Sequence, residues 1–190
     1  MRVGRMGAVL CVLACLLPAA ASAQSFGAGV SFLGDERGAG VLVDYASPLS
    51  SQSGNKTLSW VGEFGFNHKG FGGQLAGITG GITTIMAQGG LRASGAANSS
   101  VSWLAHGMVG IMRSSFSSEA AGVNAATCDR FNIDCEIGAS DIGAVVTVGG
   151  GLQYDFSSSK AIRGQIDIPF AVGANGGATS RFAIMLVFKN

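Results

Sequence analysis

KAIRGQIDIPFAV, residues 160–172, places Ile162, Gly164, Ile166 and Ile168 on one parity and Arg163, Gln165 and Asp167 on the other. In an extended chain successive side chains point to opposite faces, so one face of this run is apolar and the other charged. A soluble sandwich strand has the same alternation, with its apolar face inward. A membrane-barrel strand inverts it, apolar towards lipid and polar towards the lumen. The run predicts a strand and leaves open whether its isoleucines face a core or lipid.

The same period of two recurs along the chain. Segment 25–34 groups Phe26, Ala28, Val30 and Phe32, and 39–46 groups Val41, Val43 and Tyr45 against Leu42 and Asp44. Segment 57–67 sets Leu58, Trp60, Phe64 and Phe66 against Ser59, Glu63 and Asn67. Segment 82–94 sets Ile85, Ala87 and Leu91 against Thr84, Gln88 and Arg92. Segment 101–113 sets Val101, Trp103, Val109 and Ile111 against Ser102, His106 and Met112. Segment 142–156 sets Val146, Val148, Leu152 and Tyr154 against Thr147, Gln153 and Asp155. Segment 180–190 sets Phe182, Ile184, Leu186 and Phe188 against Arg181, Ala183 and Met185. With 160–172 that makes eight predicted strands. Apolar residues do not recur at three and four, and glycine interrupts nearly every segment, so helices are excluded.

Composition agrees with a membrane barrel. Glycine is abundant (31 of 190 residues), proline scarce (3), and charged residues make up 12%. Soluble domains carry roughly 25% charge. Mean hydropathy is +0.40, yet after the leader no run reaches the ~20 apolar residues of a membrane helix. The leader, residues 1–23, has Arg2 and Arg5, then an apolar stretch, then Ala21-Ser22-Ala23, which predicts a cleaved signal peptide. Lipidation at Cys15 is a poorer reading, because the apolar run continues past it. The predicted mature domain is 24–190. Of the 12 Lys+Arg, Arg2 and Arg5 leave with the leader, so 10 bases face 11 acids. No basic field points to nucleic acid. Cys11 and Cys15 leave too, and the remaining pair, Cys128 and Cys135, predicts a disulfide closing a small loop in an exported chain.

Connections after the odd-numbered segments (34–37, 68–81, 114–141, 171–179) are mostly longer than those after the even ones (47–56, 95–100, 157–160). Outer-membrane barrels have short periplasmic turns and longer external loops. In eight strands closed on themselves, the polar parity would crowd into one narrow lumen filled by side chains. Asp44, Glu63, Arg92, Asp155, Arg163, Asp167 and Arg181 are then expected to form an ion-pair network, since unpaired buried charge is costly. His106 is expected as a lumen histidine satisfied by neighbours. The opposite parity is almost free of charge. Its Tyr45, Trp60, Trp103 and Tyr154 suit a membrane-interface girdle.

Carried by the hairpin GGGLQYDFSSSKAIRGQIDI (149–168) and the last strand RFAIMLVF (181–188), the chain resembles the small eight-stranded outer-membrane β-barrels of Gram-negative bacteria, the OmpA/OmpX-type and opacity-protein-like group. The resemblance covers most of residues 25–190. It implies an all-β, antiparallel up-and-down transmembrane barrel, a monomer in contact with outer-membrane lipid and lipopolysaccharide. It also implies insertion by the barrel assembly machinery, which reads a C-terminal aromatic. Here that residue is Phe188, followed by Lys189 and Asn190. No cofactor is implied.

Some barrels of this size act on lipid A through a histidine, a serine and an acid. Ser102 and His106 share a parity but lie about 13 Å apart along a strand, beyond hydrogen-bond reach. His68 is expected in a solvated loop. The acids Asp129, Asp134, Glu136 and Asp141 read as a solvated loop rather than a cation site. The glycine-rich 70–81 lacks a phosphate-loop lysine, and the glycosylation patterns at Asn55 and Asn98 carry little in a bacterial chain. The sequence therefore predicts a non-enzymatic barrel acting through external loops. A soluble lipocalin-like barrel with an apolar lumen stands as the alternative, and a lipid A-modifying enzyme as a third reading. The external ligand is not legible.

Overall fold

The computed structural model describes residues 24–34, 38–51, 56–72, 78–120, 136–172 and 177–190. The predicted leader and both Cys128 and Cys135 lie outside these residues, as do Asn55, Asp129 and Asp134. The elements are β1 (Ser25–Leu33), β2 (Gly38–Ser51), β3 (Lys56–Gly72), β4 (Ile78–Ala96), β5 (Val101–Ala120), β6 (Glu136–Ser157), β7 (Lys160–Val172) and β8 (Arg181–Lys189). Each pairs antiparallel with its sequence neighbour, and β1 closes on β8 from Ser25↔Lys189 to Leu33↔Arg181. Closure removes every edge within the barrel.

Both prolines in strands sit where a ladder is already interrupted. Pro48 lies at a bulge in β2. Pro169 lies beyond the last β7–β8 pair, Asp167↔Arg181. A residue with no N–H to donate costs least at such places.

The period of two becomes the two faces of the wall. In β8, burial alternates residue by residue from Arg181 to Phe188. Ile162, Ile166 and Ile168 are 48%, 61% and 42% exposed, whereas Arg163 and Asp167 are 3% and 0% exposed. The soluble alternative required the reverse and is not favoured. A continuous wall of exposed Phe, Val, Ile and Leu on all eight strands far exceeds the apolar patches of soluble monomers. Lipid removes the cost of that wall. The interior also holds apolar filler: Leu33, Met86, Met112 and Val145 near the loop-bearing end, and Ala46, Val61 and Met108 nearer the end with Gln24 and Asn190.

β3 to β6 run further than their alternating apolar segments. β2 stops pairing with β3 at Ala39↔His68, and β7 stops pairing with β6 at Val172↔Ala144. Beyond those levels β3–β6 continue as a four-stranded sheet, out to Ile78↔Ala120 and Glu119↔Glu136. Much of what reads as long loop, 68–81 and 114–141, is therefore strand. Polar side chains and glycines hid it, because backbone ladder bonds do not need an apolar face.

Candidate functional site: a charge-paired lumen and two barrel ends

The lumen charges come from five strands, with His106 on a sixth, and register brings them together. Around Arg181, fully buried on β8, stand two carboxylates. Its Nε and Nη2 donate to Asp167 Oδ2 at 2.9 and 2.6 Å, and Nη2 also donates to Glu63 Oε1. Gln88 Nε2 donates to Glu63 Oε1 at 2.6 Å, and Thr147 Oγ1 donates to Gln88 Oε1 at 2.7 Å. Gln165 Nε2 bridges Glu63 and Asp167 at 3.3 and 3.1 Å. His106 Nε2 lies 2.8 Å from Asp167 Oδ1.

The second cluster is inverted in charge. Asp44 Oδ2 accepts from Arg92 Nη2 and from Arg163 Nη1, both at 2.6 Å, and Arg163 also holds Gln153 Oε1. Buried guanidinium–carboxylate bonds of this kind are the stronger sort of hydrogen bond. Together Asp44, Glu63 and Asp167 match Arg92, Arg163 and Arg181, so the interior is charge-balanced before His106 is counted.

Asp155 stands at the edge of the expected network. It shares the lumen parity, but it stands at the rim, about a quarter exposed, paired with Lys189 at 2.9 Å. It lies one residue before the irregularity where β6 turns into β7, and reaches the buried arginines only through Gln153, whose Nε2 donates to Asp155 Oδ1 at 3.0 Å and whose Oε1 accepts from Arg163.

Gly149 contributes unseen from the sequence. It pairs with His106 on one side and Asp167 on the other. A Cβ there would fall 2.1 Å from Asp167 Oδ1 and 2.6 Å from His106 Nε2. The His106–Asp167 bond thus passes over a residue with no side chain. Gly27 does the same for Asp44, whose Oδ1 would lie 2.3 Å from an added Cβ. Gly149→Ala is expected to destabilise the barrel by about 1–3 kcal/mol through overpacking, read from urea unfolding in lipid vesicles. A neutral outcome would mean the two side chains are not held there.

The four aromatics assigned to an interface gather towards one end. Trp60, Trp103 and Tyr154 lie near the strand ends beside Gln24 and Asn190, and Tyr45 sits two pairs further in than Trp60, opposite Gly62. The tryptophans lie against glycines: a Cβ on Gly62 would meet Trp60 at 3.0 Å, and one on Gly95 would meet Trp103 at 2.8 Å. At the opposite end Phe71 and Phe116 stack at 5.5 Å on the inner side of the projecting sheet. Phe188, on the outer wall, pairs with Phe26 and Lys160.

Among the described residues neither histidine has both a hydroxyl and a carboxylate at hydrogen-bond distance. His106 Nε2 is engaged by a carboxylate, and Ser102 is a separate residue lining the Gln24–Asn190 end. His68, expected in a loop, lies in β3 on the outer wall, with its Nδ1 3.0 Å from Thr83 Oγ1. Among the described residues no acid completes that pair, and none gather into a cluster of three metal-ligating side chains. Glu136 and Asp141 belong to β6.

No family model and no curated protein matches the sequence. Solved structures do match. Ail, the attachment invasion locus protein of Yersinia pestis, solved with the heparin analogue sucrose octasulfate, superposes with a TM-score of 0.55 at 15% identity, over 89% of this chain and 99% of that one. The N-terminal β-barrel domain of Pseudomonas aeruginosa OprF gives 0.45 at 11% identity, over 87% and 97%. The outer membrane enzyme PagL gives 0.41 at 11% identity, over 87% and 97%. With an apolar outer wall, an interior of paired charges and eight antiparallel strands in a closed barrel, the chain has the fold of the small eight-stranded outer-membrane β-barrels.

Proposed function

We propose that the chain is a non-enzymatic surface protein that acts through its loop-bearing end, with the barrel as a plugged anchor. The observation that supports this is the sheet of β3–β6, which continues past the levels where β2 and β7 stop. A barrel built only to span lipid needs strands of ~9–11 residues; β5 and β6 have 20 and 22. The extra length carries binding surface, as loops on rigid scaffolds commonly do. In this reading residues 1–23 direct export, a Cys128–Cys135 disulfide ties the loop between β5 and β6, Phe188 serves the barrel assembly machinery, and the monomer sits among phospholipid and lipopolysaccharide.

The chemistry of that end favours a basic partner. In sequence, Asp35, Glu36, Glu119, Asp129, Asp134, Glu136 and Asp141 outnumber Arg37, Lys69, Arg113 and Arg130 in and beside the connections that follow the odd-numbered strands. Ail accepts a polysulfated sugar; an acidic end would repel one.

The test uses the chain reconstituted in neutral vesicles, with a lysine-rich peptide and sucrose octasulfate as probes. The expected result is saturable, salt-sensitive binding of the peptide, lost when 121–135 is replaced by a short turn, and no binding of the sulfated sugar. Peptide binding indifferent to that replacement would overturn the reading. So would lipid A whose mass changes when the protein is present and is restored in His68→Ala.

A further inference from the structure

On the outward face of the described strands, Arg113 is the one charge set between apolar neighbours. It pairs with Ile85 on β4 and with Ile142 on β6. Ile111 precedes it on the same face of β5, and Ile111 and Ile142 are 61% and 65% exposed. Lys56 and Lys160, also outward, begin their strands at the end with Gln24 and Asn190. Arg113 itself is exposed, and among the described residues no hydrogen bond or ion pair engages it.

Its depth follows from β5. Trp103, in the aromatic group at the opposite end, lies ten residues earlier on the same face. Ten residues span about 33 Å of strand. A tilt of about 40° reduces that to about 25 Å across the bilayer, the height of a barrel's apolar band. With Trp103 at one interface, Arg113 is at the headgroup level of the other. Register draws the same boundary on four strands. The outward row Phe66–Ile85–Arg113–Ile142 is apolar apart from the arginine, and the next row is His68–Thr83–Ser115–Ser140. Neighbouring strands lie ~4.8 Å apart, so the polar row is about 14 Å wide. It offers hydroxyls and an imidazole, with no carboxylate to compete for Arg113. An unpaired cation at this depth meets headgroup phosphate, which a guanidinium holds through two parallel hydrogen bonds. A hydroxyl row of that width suits a disaccharide headgroup better than the narrow glycerophosphate of a phospholipid.

We propose that Arg113 anchors a lipid site on the outer wall of β4–β6, holding one phosphate of a phosphorylated disaccharide lipid of the lipid A type, with the sugar along His68, Thr83, Ser115 and Ser140. The acyl chains run down the wall over Ile85, Ile111 and Ile142. One lipid molecule is thereby held at one place, beyond the general contact of a barrel with its bilayer. The proposal rests on the reading above only in taking the loop-bearing end as the external one.

The experiment titrates the chain, reconstituted in phosphatidylcholine nanodiscs, with lipid A or with phosphatidylglycerol, and counts bound lipid by native mass spectrometry. The parent is expected to hold one lipid A in preference to phosphatidylglycerol, and to lose that preference for lipid A stripped of its phosphates. Arg113→Gln should bind lipid A about ten- to a hundredfold more weakly, the weight of a lost charge-assisted hydrogen bond. Arg113→Lys should fall between the two, because an ammonium keeps the charge and loses the fork. Lys160→Gln, which removes a wall cation at the opposite end, should bind as the parent does. Arg113 is exposed and bonded to nothing, so its variants keep the fold, which heat-modifiable gel mobility checks. Parent-like binding by Arg113→Gln, an equal loss in Lys160→Gln, or phosphatidylglycerol held as tightly as lipid A would overturn the proposal. No peptide is present, so failure of the loop surface to bind one leaves this result unaffected.

Discussion

Arg181→Met is expected to cost the folded barrel about 3–5 kcal/mol, the usual loss when one partner of a buried ion pair is removed. Arg181 is fully buried and is the shared cation of Glu63 and Asp167. Methionine fills a similar volume but leaves both carboxylates facing each other in a dry lumen. Asp167 retains His106 and Gln165, while Glu63 keeps only the amides of Gln88 and Gln165. The remedy is therefore specific. Glu63→Gln combined with Arg181→Met removes the orphaned charge and should recover about half the loss, a coupling that a double-mutant cycle measures directly. Arg181→Lys should remain well below the parent, since a single ammonium cannot reproduce the fork that reaches two carboxylates. If Arg181→Met unfolds at the same urea concentration as the parent, the charges are hydrated and the lumen is a wet channel.

Ile166→Arg is expected to cost about 2–4 kcal/mol in a bilayer, because Ile166 is the central residue of β7 and a charge on the lipid side of a barrel is most expensive at mid-depth. Ile166 is 61% exposed on the outer wall, between Gly150 and Phe182 on the neighbouring strands. The companion substitution separates lipid from core. In a protein core Ile→Ala leaves a cavity and costs about 2–5 kcal/mol. Against lipid the acyl chains close over the gap, so Ile166→Ala should cost below about 1 kcal/mol. A large loss for alanine would show that the isoleucine face is packed against protein.

Much of this barrel was legible because alternation is local. Which face of β7 is outward took the other strands to read, but that Ile166 and Arg163 point to opposite faces follows from their parity within β7 alone. The same holds for the number of strands, which needs only the turns between apolar runs. His68 was misplaced because the residues after Phe66 lose their apolar face, although the ladder to β4 continues through Gly72↔Thr79. Backbone hydrogen bonds leave no signature in side-chain pattern.

By itself, then, the order of residues determined eight strands, each with one apolar and one polar face, since side-chain alternation in a strand depends on nothing beyond the next residue; that the apolar face is the outer one was decided by the closed barrel. Which acid meets which base was settled only in three dimensions. Asp44 meets Arg92 and Arg163 across separations of 48 and 119 residues, Asp155 is carried out to the rim, and Gly149 becomes the gap through which His106 reaches Asp167. Those outcomes depend on how far each strand slides along its neighbour when the barrel closes, a quantity summed over all eight strands and written in none of them.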